Sequence, residues 1–484
     1  MKVSRPYPSY VISKKGAKWL MSGHPWVYEG EIPALKDLQE GSQVENGDLV
    51  DVISEKGTYL GTGFLSLKSK IRIRLLSRNA NDLFDRDFWK RRFAYAWAYR
   101  KQVMAPADLK ATRLIFGEAD QLPGLTVDRF NDILVAQCLS YGMDRRKALL
   151  YPLLLEVLRE DGQDIKGIYE RNDDELRSKE GLSQGQGWFD EAQQGLALAQ
   201  DICDKTEPGL CQNPAYLLQE GSPADSLAQA KVSVDPAEGN RSPKHGCLNS
   251  AENFAPSLPT TTQIEENGLR YWVDVANGQK TGFFLDQKLN RRRVADLARG
   301  MEVLDCFTHT GAFAMNALKG GASHVSALDI SETAIAMARK NAELNGLLDG
   351  MDFITANAFD FLEEQVQSRR HPWNFIILDP PAFTKSRQTV GNAGNGYRRI
   401  NELALRLLPR GGYLATCTCS HFMPAELFLK EAIRPRTMPA FTSSKSKHGN
   451  RRPTTPSCWM YLRQPTSSSS FSRPYRRHAR APVG

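Results

Sequence analysis

W-N-F-I-I-L-D-P-P-A-F, residues 373–383, is the stretch on which the fold turns. Four apolar residues, Phe375, Ile376, Ile377 and Leu378, stop at Asp379, and two prolines follow. An apolar run of that length, closed by residues that cannot extend a hydrogen-bonded ladder, is the pattern of a fully buried parallel strand. In open α/β sheets ligands sit just past the carboxyl ends of the strands. A carboxylate fixed by the stiff Pro380-Pro381 turn is therefore expected at the mouth of a site. Asp and Pro are also ordinary turn residues, so the neighbouring segments decide the motif's weight.

Those segments repeat the punctuation. A strand at 303–305 runs into C-F-T-H-T-G-A-F and a helix ending at Gly320, and a second strand, 324–328, ends at Asp329. Ser331 caps a helix with Ala334, Ile335, Ala338 and Leu344 on one face, stopped by Gly346. A third strand, 352–355, ends at N-A-F-D (357–360), and a fifth, 412–416, runs into C-T-C-S-H. Strands alternating with helices predict a doubly wound, mostly parallel, Rossmann-like α/β sheet.

Asp305, Asp329 and Asp379 mark successive strand ends. Asp329 follows Asp305 by 24 residues, the spacing at which a carboxylate meets ribose hydroxyls in nucleotide-binding sheets. A dinucleotide site would need G-x-G-x-x-G in the first turn. Here D-C-F-T-H-T-G offers only Gly311, which leaves no glycine nest for a pyrophosphate. A nucleoside without a diphosphate, such as S-adenosylmethionine, fits better, because the sulfonium and amino group of the latter suit nearby carboxylates.

Cys417 and Cys419 lie at the end of the fifth strand. A strand-end cysteine is most often a small buried hydrophobe, but two residues apart on a strand both point to one face. A thiol beside D-P-P suits one reaction in particular. Carbon 5 of cytosine becomes nucleophilic only after something adds to carbon 6, and a thiolate can do so, with Asp379 on the N3 edge stabilising the developing charge. His421 and Lys385 are both candidates for favouring the thiolate.

The amino-terminal 77 residues are short strands and turns. K-I-R-I-R-L-L (70–76) alternates at period two, placing Lys70, Arg72 and Arg74 on one face and Ile71, Ile73 and Leu75 on the other. Such a face is either an ordinary solvated surface or a phosphate-tracking one. A helix over 80–105 carries Phe93 and Trp97 beside basic residues, suited to core packing or to RNA. Strands and a helix through 114–169 complete a small α+β domain.

The chain of 484 residues carries a net charge of +8. Residues 431–484 hold eleven Lys/Arg against one acid, so the other 430 residues carry −2, and the basic character belongs to the tail. No apolar run reaches the length of a membrane span and the start lacks a secretory core. Eight cysteines without C-x-x-C suggest neither a disulfide framework nor a structural metal; no metal is expected, and a cytoplasmic location is. Residues 183–262, rich in Gln, Ser, Ala, Pro and Gly, with ten acids against four basic residues, are expected to be a mostly disordered insertion.

The strand order of residues 1–78 resembles a PUA domain. The ordered chain as a whole, 1–182 and 263–430, resembles the bacterial 23S ribosomal RNA 5-methylcytosine methyltransferases of the large-subunit methyltransferase I family. The motifs are G-H-P-W-V-Y (23–28), G-E-A-D-Q-L-P-G-L-T-V-D-R (117–129), G-Q-K-T-G-F-F-L-D-Q (278–287), D-x-F-x-x-T-G-A-F from Asp305, L-D-P-P-A-F (378–383) and T-C-S-H (418–421). The resemblance implies a PUA barrel (1–78), a central α+β domain (79–182) and a class I methyltransferase domain (263–430). It implies Cys419 as nucleophile rather than Cys417, with Asp379 as its catalytic partner. Lys280, Thr281, Phe284, Gln287, Asp305, Thr310, Gly311, Asp329, Asn357 and Asp379 would hold S-adenosylmethionine. Partners would be 23S ribosomal RNA and no membrane, with a homodimer left open. Many RNA cytosine methylases carry a second cysteine after the motif's proline; here Ala382 follows Pro381, so another base or water must take the C5 proton.

Two departures stand out. The 183–262 insertion exceeds the family's linker. After Lys430 the sequence becomes basic, Ser/Pro-rich and low in complexity, as if read out of frame, and this composition predicts a sheet of five strands instead of seven. The competing functions are then exocyclic-amine methylation of an RNA base, which uses D-P-P without a thiol, and RNA binding by a catalytically impaired chain.

Overall fold

Closely spaced turns and period-two alternation build the first sheet, as the sequence leads one to expect. Its strands are β1 (Ser9–Ile12), β2 (Trp26–Tyr28), β3 (Leu49–Ser54), β4 (Tyr59–Leu65) and β5 (Ile71–Ser77), in the order β1-β3-β4-β5-β2. Ile12, Val27, Val50, Val52 and Ile73 close its core. This is a computed structural model, and it describes residues 5–32, 44–190, 258–368, 372–384, 389–420, 423–433, 442–445 and 458–463.

The alternation of 70–76 holds, but its basic face is not a free phosphate track. Arg72 pairs with Glu29, and Arg74 with Glu180 (2.7 Å) and Glu118 (3.4 Å). Both guanidinium side chains are 11% exposed. Acids from other elements neutralise what looked like a cationic stripe, and Lys70 alone of the three stays exposed.

The second sheet comprises β6 (Ala111–Phe116), β7 (Leu125–Phe130), β8 (Ile133–Cys138), β9 (Gly167–Asn172) and β10 (Gly185–Trp188), ordered β10-β9-β8-β7-β6. The helix Arg86–Val103 starts where the Asp85 carboxylate accepts from Phe88 N (2.9 Å). It buries Phe88, Trp89, Phe93 and Trp97, so its aromatic face is core. β10 lies inside the stretch expected to be disordered. Its Trp188 ring packs edge-on against Tyr169 at 5.4 Å, and its Nε1 donates to Leu258 O (2.9 Å). One aromatic anchor thus outweighs a polar composition; residues 191–257, with Cys203, Cys211 and Cys247, lie outside the described residues.

A hairpin of β11 (Thr261–Glu266) and β12 (Leu269–Asp274) turns at Asn267-Gly268, both with positive φ, the pairing that a tight hairpin demands. Then follow β13 (Glu302–Cys306), β14 (His324–Asp329), β15 (Met351–Thr355), β16 (Phe375–Leu378), β17 (Tyr413–Thr418), β18 (Thr442–Lys445) and β19 (Cys458–Arg463). They form one sheet ordered β15-β14-β13-β16-β17-β19-β18. The first five run parallel, while β19 lies antiparallel to β17 and β18 antiparallel to β19. All four residues of β16 are buried, as its unbroken apolar run requires.

The expectation of five strands is corrected here. C-W-M-Y-L-R (458–463) pairs in register from Thr418↔Cys458 to Tyr413↔Arg463. Averaged over 54 residues the tail reads as low-complexity, but this short run of Trp, Met, Tyr and Leu has strong strand preference. The described residues divide into two compact units: Met1–Thr262 with Val273–Phe283, and Gln263–Trp272 with Phe284–Gly484.

Candidate active site

β13 sits between β14 and β16, so the connections on its two sides diverge and open a crevice at its carboxyl end. Asp305 lies there, fully buried. Its Oδ2 accepts from Thr308 Oγ1 (2.6 Å) and Ala314 N (3.0 Å), while Oδ1 has no partner among the described residues. Burial pushes the carboxyl up to about 7; the bonds from Thr308 and Ala314 oppose that, and the charges of Asp379 and Asp329 add to it. The loop that follows holds Phe307, His309 and Gly311 at φ of 63°, 51° and 79°. Two non-glycine residues in the left-handed region are backbone strain of the kind that concentrates at functional sites. At Gly311 a Cβ would stand 3.0 Å from that of Ala338, so both conformation and close approach require glycine.

Asp329 ends the next strand and is held by backbone donors, His309 N to Oδ2 (2.9 Å) and Ser331 N to Oδ1 (3.0 Å). The His309 ring meets Phe284 edge-on at 5.5 Å. Burial lowers its pKa, with Asp329 opposing, so the imidazole is neutral at pH 7. Past β16, Gln287 Nε2 donates to both oxygens of Asp379, at 3.1 and 3.3 Å, and Asn290 Nδ2 fixes the Gln287 oxygen at 2.6 Å. At the end of β17 the half-buried Cys419 Sγ lies 3.6 Å from the Pro380 carbonyl oxygen, on the residue next to Asp379. Cys417, one pleat earlier, is fully buried inside the ladder, opposite Trp459 in register.

These residues suit S-adenosylmethionine. A buried carboxylate oxygen lacks a partner, three acids gather at adjacent strand ends to meet cationic groups, and Ile330, 68% exposed beside Asp329, offers an apolar face. A family model for S-adenosylmethionine-dependent methyltransferases matches residues 244–448, and one for a PUA-like domain matches 11–78. A ribosomal RNA large subunit methyltransferase I from Aliivibrio fischeri is 32% identical over 87% of this chain and 88% of its own. One of that name from Aeromonas salmonicida is 34% identical over 85% and 86%. A solved structure described as a methyltransferase complexed with SAH superposes with a TM-score of 0.65 at 17% identity, covering 94% of this chain and all of the other.

The chain belongs to the ribosomal RNA large subunit methyltransferase I family. Its Rossmann-like α/β fold, its PUA-like amino terminus and its use of S-adenosylmethionine all follow.

For this methyltransferase the second unit gathers Phe284, Gln287, Asp305, Thr310, Gly311, Asp329, Asp379 and Cys419 around the strand ends. Thr310 is buried and its carbonyl accepts from Asn341 Nδ2 (3.1 Å). Asn357 is exposed, and its side-chain oxygen accepts from Phe359 N (2.9 Å) at the start of the helix Ala358–Ser368. Lys280 and Thr281 belong to the first unit, where the Thr281 hydroxyl donates to Asp128 Oδ2 (2.6 Å). His421 and Lys385 lie outside the described residues. The sequence reading passed over His309, Asn290 and Ile330; of these, only Ile330 carried a signal, an apolar residue directly after a strand-end acid.

Proposed function

We propose that this methyltransferase transfers a methyl group to carbon 5 of a cytosine in 23S ribosomal RNA, with Cys419 as covalent nucleophile. The observation that carries the reading is the 3.6 Å approach of Cys419 Sγ to Pro380 O, which sets a half-buried thiol at the end of β17 beside the turn that holds Asp379. The Cys419 thiolate adds to carbon 6; the C5–C6 double bond opens and carbon 5 becomes nucleophilic. Asp379, oriented by Gln287 and acting in its acid form, donates its proton to N3 as negative charge develops there, and takes that proton back when Cys419 is expelled. When bound, S-adenosylmethionine supplies a methyl group made electrophilic by its positive sulfur. Loss of the C5 proton to a base or water then restores the double bond and expels Cys419.

Asp305, Asp329, Asn357, Phe284 and Gln287 are proposed to hold the cofactor. Its ammonium would suit the unpartnered Asp305 oxygen, and its ribose hydroxyls the remaining lone pairs of Asp329. The PUA-like barrel, 1–78, is proposed to bind RNA through rings instead of the neutralised arginine face. Trp19, His24, Trp26 and Tyr28 have successive centroids 5.5 to 6.4 Å apart, and Tyr28 and the exposed Trp19 line a cleft of about 460 Å³ with Lys15. Aromatic planes beside lysines suit unpaired bases and their phosphates.

Tritiated methyl transfer to unmodified 23S rRNA, followed by nucleoside analysis, tests the reading. RNA carrying 5-fluorocytidine, which cannot lose a C5 proton, should trap a covalent protein–RNA adduct that Cys419→Ala abolishes. Full turnover by Cys419→Ala would instead assign exocyclic-amine methylation.

A further inference from the structure

We propose that Tyr397, on the helix Val390–Leu407, is the positioning residue that aims the Cys419 thiol at the D-P-P turn; the inference rests on the cysteine reading above. Thr418 and Ser420 flank Cys419, and on extended backbone these two neighbours point away from it. Burial follows that alternation: Thr418 and Ser420 are fully buried, Cys419 only half. Both flanking hydroxyls end on one phenol. Thr418 Oγ1 donates to Tyr397 Oη at 2.7 Å, and Tyr397 Oη and Ser420 Oγ are 2.8 Å apart. Ser420 N closes the cycle by donating to Thr418 Oγ1 (3.2 Å).

The same phenol reaches the other half of the site. The Phe383 backbone bonds it directly, and Thr384 N donates to Ser420 Oγ at 3.4 Å. With Thr418 and Phe383 both bonding its oxygen, the Tyr397 proton is left for Ser420. Burial raises the Tyr397 pKa, so that proton is retained through the working pH range. The loop carrying Cys419 and the loop carrying Asp379-Pro380-Pro381 are thus tied through this buried oxygen as well as by the direct Thr384–Ser420 bond. With the backbone pinned on both sides of Cys419, its Cα–Cβ bond is held in one direction, and from it Sγ reaches to 3.6 Å from Pro380 O.

Tyr397→Phe removes the hydroxyl and keeps the ring, which packs 4.6 Å from Phe383 and 5.1 Å from Phe428, centroid to centroid. For methyl transfer to rRNA, kcat should fall about 10- to 100-fold, the usual loss for a misaimed reacting group, with KM for S-adenosylmethionine unchanged. Thr418→Val should reproduce that loss and Thr418→Ser should restore the rate. The double variant Tyr397→Phe/Thr418→Val should be no slower than the worse single one, since both cut one network. If Tyr397→Phe fails to fold, the Thr418 pair decides alone. Wild-type kcat in Tyr397→Phe or Thr418→Val, or a loss carried by KM, overturns the proposal. Cys419→Ala, assayed in parallel, separates the two readings: if it keeps full turnover the cysteine mechanism fails, whatever Tyr397 does.

Discussion

The side-chain amide of Gln287 donates to both carboxylate oxygens of Asp379, and Asn290 holds that amide from behind. A residue 92 positions earlier in the chain therefore sets the plane of the acid that the D-P-P turn presents. Gln287→Glu would face one carboxylate with another, so it is expected to lower kcat more than Gln287→Ala, which only frees Asp379 to rotate. About 100-fold is the scale for the first. Steady-state kinetics on both variants, with unfolding midpoints as controls, check the order.

Depth separates the two strand-end cysteines. Cys417→Ala is expected to leave turnover within a few-fold while costing about 1 kcal/mol of stability for the small buried side chain removed. Cys419→Ala is expected to show the reverse, intact stability and no methyl transfer. Denaturant unfolding beside a methyl-transfer assay reads both.

Asp305 makes stability depend on pH. Its carboxyl lies at about 7 in the folded chain against an ordinary 3.8, so the native state keeps a proton that the unfolded chain loses. The contribution is full below about pH 4 and is lost as pH rises through about 7. Asp305→Asn, which cannot ionise, should flatten the fall of stability across that window. A cationic ligand meeting the carboxylate should also displace its proton. Calorimetry of S-adenosylmethionine binding near pH 6, in two buffers of different ionisation enthalpy, should show proton release by the wild type and none by Asp305→Asn.

Gly311→Ala combines a left-handed φ with a Cβ 3.0 Å from that of Ala338. A loss of about 1–2 kcal/mol is expected from the conformational term alone, with weaker S-adenosylmethionine binding because the loop between Asp305 and the helix Ala312–Lys319 must shift. Thermal unfolding with and without the cofactor checks it.

Ending the chain after residue 433 would remove β18 and β19 and leave β17 as an open edge. Its unpaired N–H and C=O groups would then template intermolecular pairing. Concentration-dependent light scattering by the shortened chain, with none by the full one, is the expected outcome.

The sheet was legible because its signals are local. Asp305, Asp329 and Asp379 each close an apolar run, and their register along the chain already marks the carboxyl ends of three strands. Gly311 alone in its turn argued against a pyrophosphate. The arginine stripe was misleading for the opposite reason. Arg74 finds its partners 44 and 106 residues away, at Glu118 and Glu180, and no window of sequence contains them. The tail misled through averaging, since ten residues of strand, four in β18 and six in β19, were diluted among 54.

Strand periodicity, turn chemistry and the acids at strand ends come from residues next to one another, and the sequence by itself determined the α/β class, the nucleoside-type crevice and the family. Only the tertiary structure decided which charges are neutralised, which of two cysteines stays half-buried beside the D-P-P turn, and that the Tyr397 hydroxyl bonds Thr418 and Ser420. Those outcomes depend on groups brought together from distant parts of the chain, where burial and hydrogen bonding, not neighbouring sequence, set each side chain's direction and charge.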